Sequence, residues 1–150
     1  MKYVIADTEK ILFVDENKTR LIATLDFLPY TEDDILECQD DAVVKGWDGE
    51  WYFAGKVPPK PLDLIQKEYV DAIQNYMDKT VQTRGYDNVF TCISYLNDPN
   101  ETYAKEAAAV FVWRSGVWEK GHEILNKVLS GEMDIPSVEK VIAVLPELEW

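Results

Sequence analysis

Val57-Pro58-Pro59-Lys60-Pro61 is the stretch that divides this 150-residue chain into two regions of different pattern. Proline lacks a backbone N–H donor and fixes φ, so prolines at this density exclude a helix interior and a central strand. A run of this kind forms a stiff, extended spacer. We therefore predict a proline-rich linker over residues 57–62, with a different domain on each side of it.

The region before the linker has the pattern of short strands joined by polar turns. Residues 3–6, 11–14 and 20–27 are rich in β-branched or aromatic side chains, and residues 7–10 between the first two runs are typical of a turn. Asp48-Gly49 lies between two further runs, which is a strong hairpin signal. We predict a small β-rich domain over residues 1–56, an antiparallel β-meander of four to six strands.

The region after the linker has helical periodicity. Apolar residues recur at helical spacing over residues 62–83, over a short segment at 88–96, and over residues 101–129, which form the longest helix. A last short helix starts near Pro136 or Ser137 and ends before Pro146. The pattern predicts a helical domain over residues 63–150, a bundle of three to four helices, and therefore an α+β fold class.

The longest predicted helix combines a broad apolar stripe with two glycines. Gly116 and Gly121 each cost a helix about 1 kcal/mol relative to alanine, and we expect them to let another helix approach closely. The stripe that we predict to face the core consists of Tyr103, Ala107, Val110, Phe111, Trp113 or Arg114, Val117, Trp118, Ile124 or Leu125, and Val128.

Composition and charge narrow the classes of function. The chain is 47% apolar and 29% charged, which is a globular balance. Its net charge of -13 is spread over both halves: residues 1–60 carry 7 basic and 13 acidic side chains, and residues 61–150 carry 8 and 15. Such a charge opposes binding to phosphate backbones and to anionic membranes. We predict no nucleic-acid partner and no membrane association.

Cysteine usage and the first residues favour an intracellular protein. Cys38 and Cys92 are far apart in sequence, and we expect both to be reduced thiols. The N-terminal run becomes acidic at Asp7, too soon for a signal peptide, and no apolar run approaches the length of a membrane span. These features predict folding in a bacterial cytoplasm.

The sequence contains no convincing set of catalytic residues. The chain has one histidine, His122, and Cys92–His122 is the sole candidate Cys–His pair, with nothing to bring the two together. Glu101 and Glu106 could serve as the paired carboxylates of a glycosidase, but they also fit the charge preference of a helix start. We predict a non-enzymatic protein with no catalytic residue, no metal site and no cofactor.

Trp113, Arg114 and Trp118 form the most distinctive cluster on the longest helix. Arg114 and Trp118 are four residues apart, so they share a helix face and could stack as a cation–π pair within a protein-binding hot spot. The alternative, which we favour, is an arginine that bridges helices inside the domain, to Asp87 or Glu106.

Residues 66–150 resemble a module encoded near the tail-fibre genes of tailed phages and prophages. The resemblance is carried by Tyr69-Val70-Asp71-Ala72-Ile73-Gln74, Arg84-Gly85-Tyr86-Asp87-Asn88, Ser94-Tyr95, Glu106-Ala107, Trp113-Arg114-Ser115-Gly116-Val117-Trp118, Pro136, and Leu145-Pro146-Glu147-Leu148. In the front part, Asp48-Gly49-Glu50-Trp51-Tyr52 and Pro58-Pro59-Lys60-Pro61 are similar to tail-fibre assembly proteins. The family brings no catalytic residues with it.

The resemblance implies a non-enzymatic phage tail accessory protein. The leading hypothesis is a tail-fibre assembly chaperone that binds a fibre or receptor-binding protein in the host cytoplasm. A structural component of the tail tip or baseplate, located in the virion tail, is the alternative, and an acidic inhibitor of a host protein is the third. Homo-oligomerisation stays open. The predicted partner-binding residues are Trp47, Trp51, Tyr52, Trp113, Arg114 and Trp118, with the three front aromatics expected to be exposed.

Overall fold

A computed structural model gives the architecture of the chain and describes residues 1–8 and 10–150. The chain divides into two compact units, residues 1–61 and residues 62–150. We call them the sheet unit and the helical unit, because the first is built on an antiparallel sheet and the second on helices. The predicted α+β class, with the sheet ahead of the helices, is confirmed.

The described residues of the sheet unit form five strands, a number within the predicted range. The strands are β1, Lys2–Asp7; β2, Lys10–Asp15; β3, Leu36–Cys38; β4, Val43–Lys45; and β5, Trp51–Phe53. Every pair is antiparallel, and the order is β3-β1-β2-β5-β4. This order is not that of a sequential meander, because β3 pairs with β1. Glu9, part of the predicted turn between β1 and β2, lies outside the described residues.

The hairpin predicted at Asp48-Gly49 is present between β4 and β5. Val43 pairs with Phe53 and Lys45 with Trp51. The backbone N–H of Gly46 donates to the carbonyl of Glu50 at 2.7 Å. Gly49 has a φ of 83°, a conformation that glycine adopts without steric cost.

The strand predicted over residues 20–27 is wrong. This segment forms α1, Lys18–Thr24, followed by a 3-10 turn, Leu25–Phe27. The Asn17 side chain caps α1 by accepting the backbone N–H of Arg20 at 3.1 Å. Leu21 and Leu25 are both buried. Their four-residue spacing fits one face of a helix as well as one face of a strand, so the apolar pattern alone did not distinguish the two.

Both faces of the sheet carry a small core. Val4 and Ile5 are adjacent on β1 and point to opposite faces, yet both are buried. Ile5 packs with Leu21 and Leu25 on the face covered by α1, whereas Val4 packs with Ile11 and Val43 on the other face. The sheet unit therefore divides its apolar contacts between two clusters.

The helical unit, of which every residue is described, contains four helices, as the sequence predicted. They are α2, Leu62–Gln82; α3, Val89–Ile93; α4, Glu101–Leu129; and α5, Val138–Ala143. Side chains of Asn88, Asn100 and Ser137 cap α3, α4 and α5 by accepting backbone N–H groups of the first turn.

One continuous core holds the four helices together. Asp78 on α2 accepts the backbone N–H of Val89 at 2.9 Å, which fixes the start of α3. The Tyr69 hydroxyl on α2 donates to the carbonyl of Pro136, just before α5. The buried members of the core are Ile73, Met77, Val81, Val89, Cys92, Val110, Trp113, Val117, Ile124, Val141 and Leu145.

Candidate partner-binding surfaces

Trp47 and Trp51 of the sheet unit are partly available to a partner. Trp47 is exposed, and its indole N–H donates to the carbonyl of Pro58 at 2.9 Å, which orients the ring. Trp51 is half-buried against the Val4 cluster, with the ammonium groups of Lys2 and Lys45 lying 5.1 and 6.0 Å from its ring centroid. The two lysines occupy the approach to the Trp51 ring, so Trp47 is the more accessible of the two.

Tyr52 is not a surface aromatic, and its predicted exposure is wrong. The residue is 8% exposed, and its hydroxyl donates to Asp48 Oδ2 at 2.7 Å. A Cβ atom on Gly46 would lie 2.7 Å from a ring carbon of Tyr52, so the ring packs directly on the backbone of the hairpin. Tyr52 therefore holds the β4–β5 hairpin together.

Trp113 is also a structural residue. It is buried in the core of the helical unit, with its ring centroid 5.9 Å from that of Tyr76. Its indole N–H donates to the carbonyl of Pro146 at 2.7 Å and so attaches the segment after α5 to α4. This position leaves little of the ring for a partner.

Arg114 and Trp118 make separate contacts. The Arg114 guanidinium lies over the ring of Phe90, 5.4 Å from its centroid, rather than against Asp87 or Glu106, the two partners that we predicted. Trp118 packs half-buried on the core and lines a pocket described below. Of the three α4 residues predicted to bind a partner, Arg114 lies against the exposed ring of Phe90, Trp118 lines a pocket, and Trp113 is buried.

Glu106 is bound by a different arginine. Arg84 Nη1 donates to Glu106 Oε1 at 2.7 Å, and the Tyr86 hydroxyl donates to Oε2, also at 2.7 Å. The Arg84 guanidinium in turn lies 4.8 Å from the ring centroid of Trp150. Burial, followed by the bond to Glu106, raises the pKa of Tyr86. Both carboxylate oxygens of Glu106 therefore hold structural donors, which does not suit a catalytic acid.

The Cys92 thiol is in an inert environment. It is fully buried in the helical core, and this burial, together with the charge of Glu106, raises its pKa to about 11. The reactive thiolate is correspondingly scarce near neutral pH. Among the described residues, no group of three or more His, Cys, Asp or Glu side chains is arranged to hold a metal ion.

The α4 outer face is an exposed and largely apolar surface that the sequence predictions do not include. We define it as Ala108, Phe111, Val112 and Ser115, which are exposed and share one side of α4 by their helical spacing. Val112 is 71% exposed, and the neighbouring Phe90, on which Arg114 stacks, is 62% exposed. Phe111, like Tyr103, is exposed, so its prediction as a core residue is wrong.

A signal for this face was present in the sequence. Residues 107–113 are consecutive apolar residues, so the helix is apolar around its whole circumference for about two turns. The core of a small bundle covers only part of that circumference. The remainder lies at the surface of a chain with a net charge of -13.

A pocket of about 100 Å³ lies between α2, α4 and α5, and we call it the helical pocket. Ile73 on α2 and Gly121 on α4 contribute to its wall. A Cβ atom on Gly121 would lie 3.4 Å from Ile73 Cδ1, an ordinary contact, so the packing of α2 on α4 does not depend on a glycine at this position, contrary to our prediction. Leu62, Val70 and Ile135 line the pocket and are also exposed, so they form its mouth.

A second, wider cleft beside α5 is lined by Lys120, Lys127 and Lys140 together with Glu123 and Asp134, so its positive and negative charges nearly balance. Lys120 and Lys127 donate to the two carboxylate oxygens of Glu123 at 2.9 and 2.7 Å. These bonds lower the pKa of Glu123 to about 2, so the carboxylate is charged at all ordinary pH values. The cleft therefore offers little net positive charge to an anion.

Within the part of the chain that the structure describes, no helix combines the length and apolarity needed to cross a membrane.

Comparison with known proteins adds no relationship: no family model matches the chain, and neither the curated proteins nor the solved structures give a match.

Proposed function

We propose that this chain is a non-enzymatic accessory protein of phage tails that acts as an assembly chaperone for a fibre or receptor-binding protein. The observation that carries the proposal is the α4 outer face, with Phe90 and Arg114 beside it. Contiguous exposed apolar surface on a water-soluble domain marks a site of protein–protein contact. Arginine and aromatic side chains are enriched where such contacts are strongest.

The charge of the chain suits a helper that binds and then releases a protein. A net charge of -13 favours solubility and opposes self-association while the apolar face is uncovered. Fibre proteins are rich in non-local β contacts, which form slowly and leave apolar surface exposed during folding. A compact acidic protein with one apolar face could cover that surface until the fibre has assembled.

The residues that carry the family resemblance make structural contacts within the helical unit, which supports a role in holding the fold rather than in catalysis. Arg84 and Tyr86 bind Glu106, Trp113 binds the carbonyl of Pro146, and Tyr69 binds the carbonyl of Pro136. Each of these residues connects two distant segments of the helical unit. In the proposed function these contacts hold α4 in place, so that its outer face is presented on a rigid support.

Co-expression with the fibre protein encoded in the same genome tests the proposal. The fibre should be recovered as a soluble trimer with the wild-type chain, and the chain should co-purify with the unassembled fibre but be absent from finished tails. Val112→Lys should reduce that co-purification at least tenfold. Leu129→Lys is the matched control, because it places the same charge on α4 at another exposed aliphatic residue.

Two results would overturn the chaperone role. A fibre that folds and trimerises equally well without this chain has no need of it. Mass spectrometry that finds the chain in finished tails at a fixed ratio to the fibre would instead identify a structural component of the tail. In that case the α4 outer face would be a permanent interface rather than a transient one.

A further inference from the structure

We propose that the helical pocket is a recognition site for one aliphatic side chain, leucine or isoleucine, carried by a basic segment of another polypeptide. This proposal is separate from the α4 outer face and from the identity of any fibre. It rests on the size of the pocket, the chemistry of its lining, the exposed apolar residues at its mouth, and the net charge of the helical unit.

The size of the helical pocket matches a side chain better than a metabolite. Its volume is about 100 Å³. Pockets for drug-sized ligands have volumes of roughly 300–1,000 Å³. An apolar cavity of about 150 Å³ is sufficient for benzene. The helical pocket is smaller than that, so its size matches a single branched aliphatic group.

The lining selects an apolar occupant. Ile65, Ile73, Leu125 and Val128 present aliphatic side chains to the cavity, and Trp118 adds an indole face. The Tyr69 hydroxyl, a polar group near the cavity, is already bound to the carbonyl of Pro136. Gln66 and His122 also line the pocket, but both are exposed and so lie at its edge. A polar side chain that reached the aliphatic interior would lose water without gaining equivalent hydrogen bonds, which opposes its binding.

The mouth of the pocket suits a polypeptide that lies across it. Leu62, Val70 and Ile135 line the cavity and are 47%, 42% and 51% exposed, so apolar surface continues outward from it. A free small molecule would fill the cavity and leave this rim in water. A polypeptide segment would cover the rim while its anchor side chain occupies the cavity, which is the arrangement of an interface hot spot.

The net charge of the helical unit indicates which kind of polypeptide segment would bind at the pocket. The helical unit carries 8 basic and 15 acidic side chains, a net charge of -7. An acidic or strongly anionic segment would be repelled, whereas lysine or arginine residues flanking the anchor would be attracted and would increase the association rate. The proposed occupant is therefore a leucine or isoleucine side chain flanked by lysine or arginine residues.

Methyl NMR of the full chain, titrated with short synthetic peptides, tests this proposal. The probe carries one leucine between serines, with lysines at both ends, and its partner peptide has asparagine in place of the leucine. The leucine peptide should shift the methyl signals of Ile73, Leu125 and Val128, and the asparagine peptide should not. Val70→Lys and Ile135→Lys should each weaken binding at least tenfold, because both place a charge at the mouth.

Val112→Lys is the matched control, since it makes the same charge change at an exposed valine that does not line the pocket. It should leave the binding of the leucine peptide within twofold of wild type. Equal shifts from the leucine and asparagine peptides, or equal weakening by Val70→Lys and Val112→Lys, would overturn the proposal. The same conclusion follows if cyclopentane shifts these methyl signals and the leucine peptide does not, because the pocket would then be a small-molecule site.

Discussion

The two units distribute their apolar residues in different ways. The helical unit gathers eleven buried residues in a single cluster, whereas the two clusters of the sheet unit contain three buried residues each among those described. Long-range side-chain contacts, such as Trp113 to Pro146 and Arg84 to Glu106, reinforce the helical unit further. The sheet unit relies on backbone ladders and on short-range contacts such as Tyr52 to Asp48.

This difference indicates how each unit resists substitution. A continuous core loses both transfer free energy and packing when one large side chain is removed, because its neighbours cannot collapse into the space. A divided core of short strands and small clusters depends more on its turns and caps. The helical unit should therefore be most sensitive to substitution of its central buried residues, and the sheet unit to substitution of the residues that form its turns and helix caps.

Trp113→Ala should have the largest effect, a loss of about 3–5 kcal/mol in the free energy of unfolding of the helical unit. The change removes a buried ring and its bond to the carbonyl of Pro146. Urea denaturation, followed by hydrogen exchange of α2 and α4 amides, measures the loss. Trp47→Ala, at an exposed indole, is the control and should cost less than about 1.5 kcal/mol. Equal losses would contradict a stability centred on the helical core.

Tyr86→Phe should cost about 1–2 kcal/mol, because it removes a half-buried hydrogen bond to a carboxylate. It should also change the pH dependence. The folded-state pKa of Tyr86 is raised, so its contribution is complete below the unfolded pKa of about 10 and is lost as pH rises further. The variant should therefore lose less stability than wild type between neutral and strongly alkaline pH.

Thermal unfolding measured across that pH range checks the Tyr86 prediction. Tyr103→Phe, at an exposed ring, is the matched control. An alkaline slope that is the same in Tyr86→Phe and in wild type would show that Tyr86 does not contribute to it.

Asn17→Ala should destabilise the sheet unit by about 1 kcal/mol, since it removes the cap of α1. The exchange of α1 amides with solvent should become faster. Asn17→Asp keeps an accepting oxygen at the cap and should behave like wild type. Unchanged exchange in Asn17→Ala would contradict the capped helix and revive the strand predicted for this segment.

Gly116→Ala should have the smallest effect on the free energy of unfolding, and it should stabilise the helical unit, whereas the other substitutions destabilise the protein. A Cβ atom there would lie 3.6 Å from Pro146 Cγ, an ordinary contact, so the change should stabilise α4 by about 0.5–1 kcal/mol. Gly85→Ala is the contrasting variant. Gly85 has a φ of 87°, which costs an alanine about 1–2 kcal/mol. The melting temperature should rise for the first variant and fall for the second.

Local signals explain which parts of the fold could be predicted. Glu101 and Leu129 were predicted as the ends of α4 and are its ends in the structure, because an asparagine cap and a Ser-Gly stop flank a strongly periodic segment. Asp48-Gly49 likewise specified its hairpin. The periodicity of Leu21 and Leu25 fits a strand as well as a helix, and what distinguishes α1 is its Asn17 cap and the Asp15–Arg20 ion pair.

The candidate surfaces could be predicted only in part. The sequence marked Arg114 as notable, but the ring beneath it, Phe90, is on another helix, and no spacing rule connects the two. The arginine that binds Glu106 proved to be Arg84, which is 22 residues away in sequence. The helical pocket depends on how α2, α4 and α5 pack, and tertiary packing of this kind leaves no motif in a single chain.

The order of these contacts along the chain has a consequence for synthesis on the ribosome. The last strand of the sheet ends at Phe53, so all five strands have been made before α2 begins. The helical unit, in contrast, closes only when Pro136 and Pro146 have emerged to receive Tyr69 and Trp113. A ribosome that stalls between α4 and α5 would therefore hold a helical unit in which the part of the core completed by Val141 and Leu145 is still uncovered. The nascent protein would then itself need protection from aggregation.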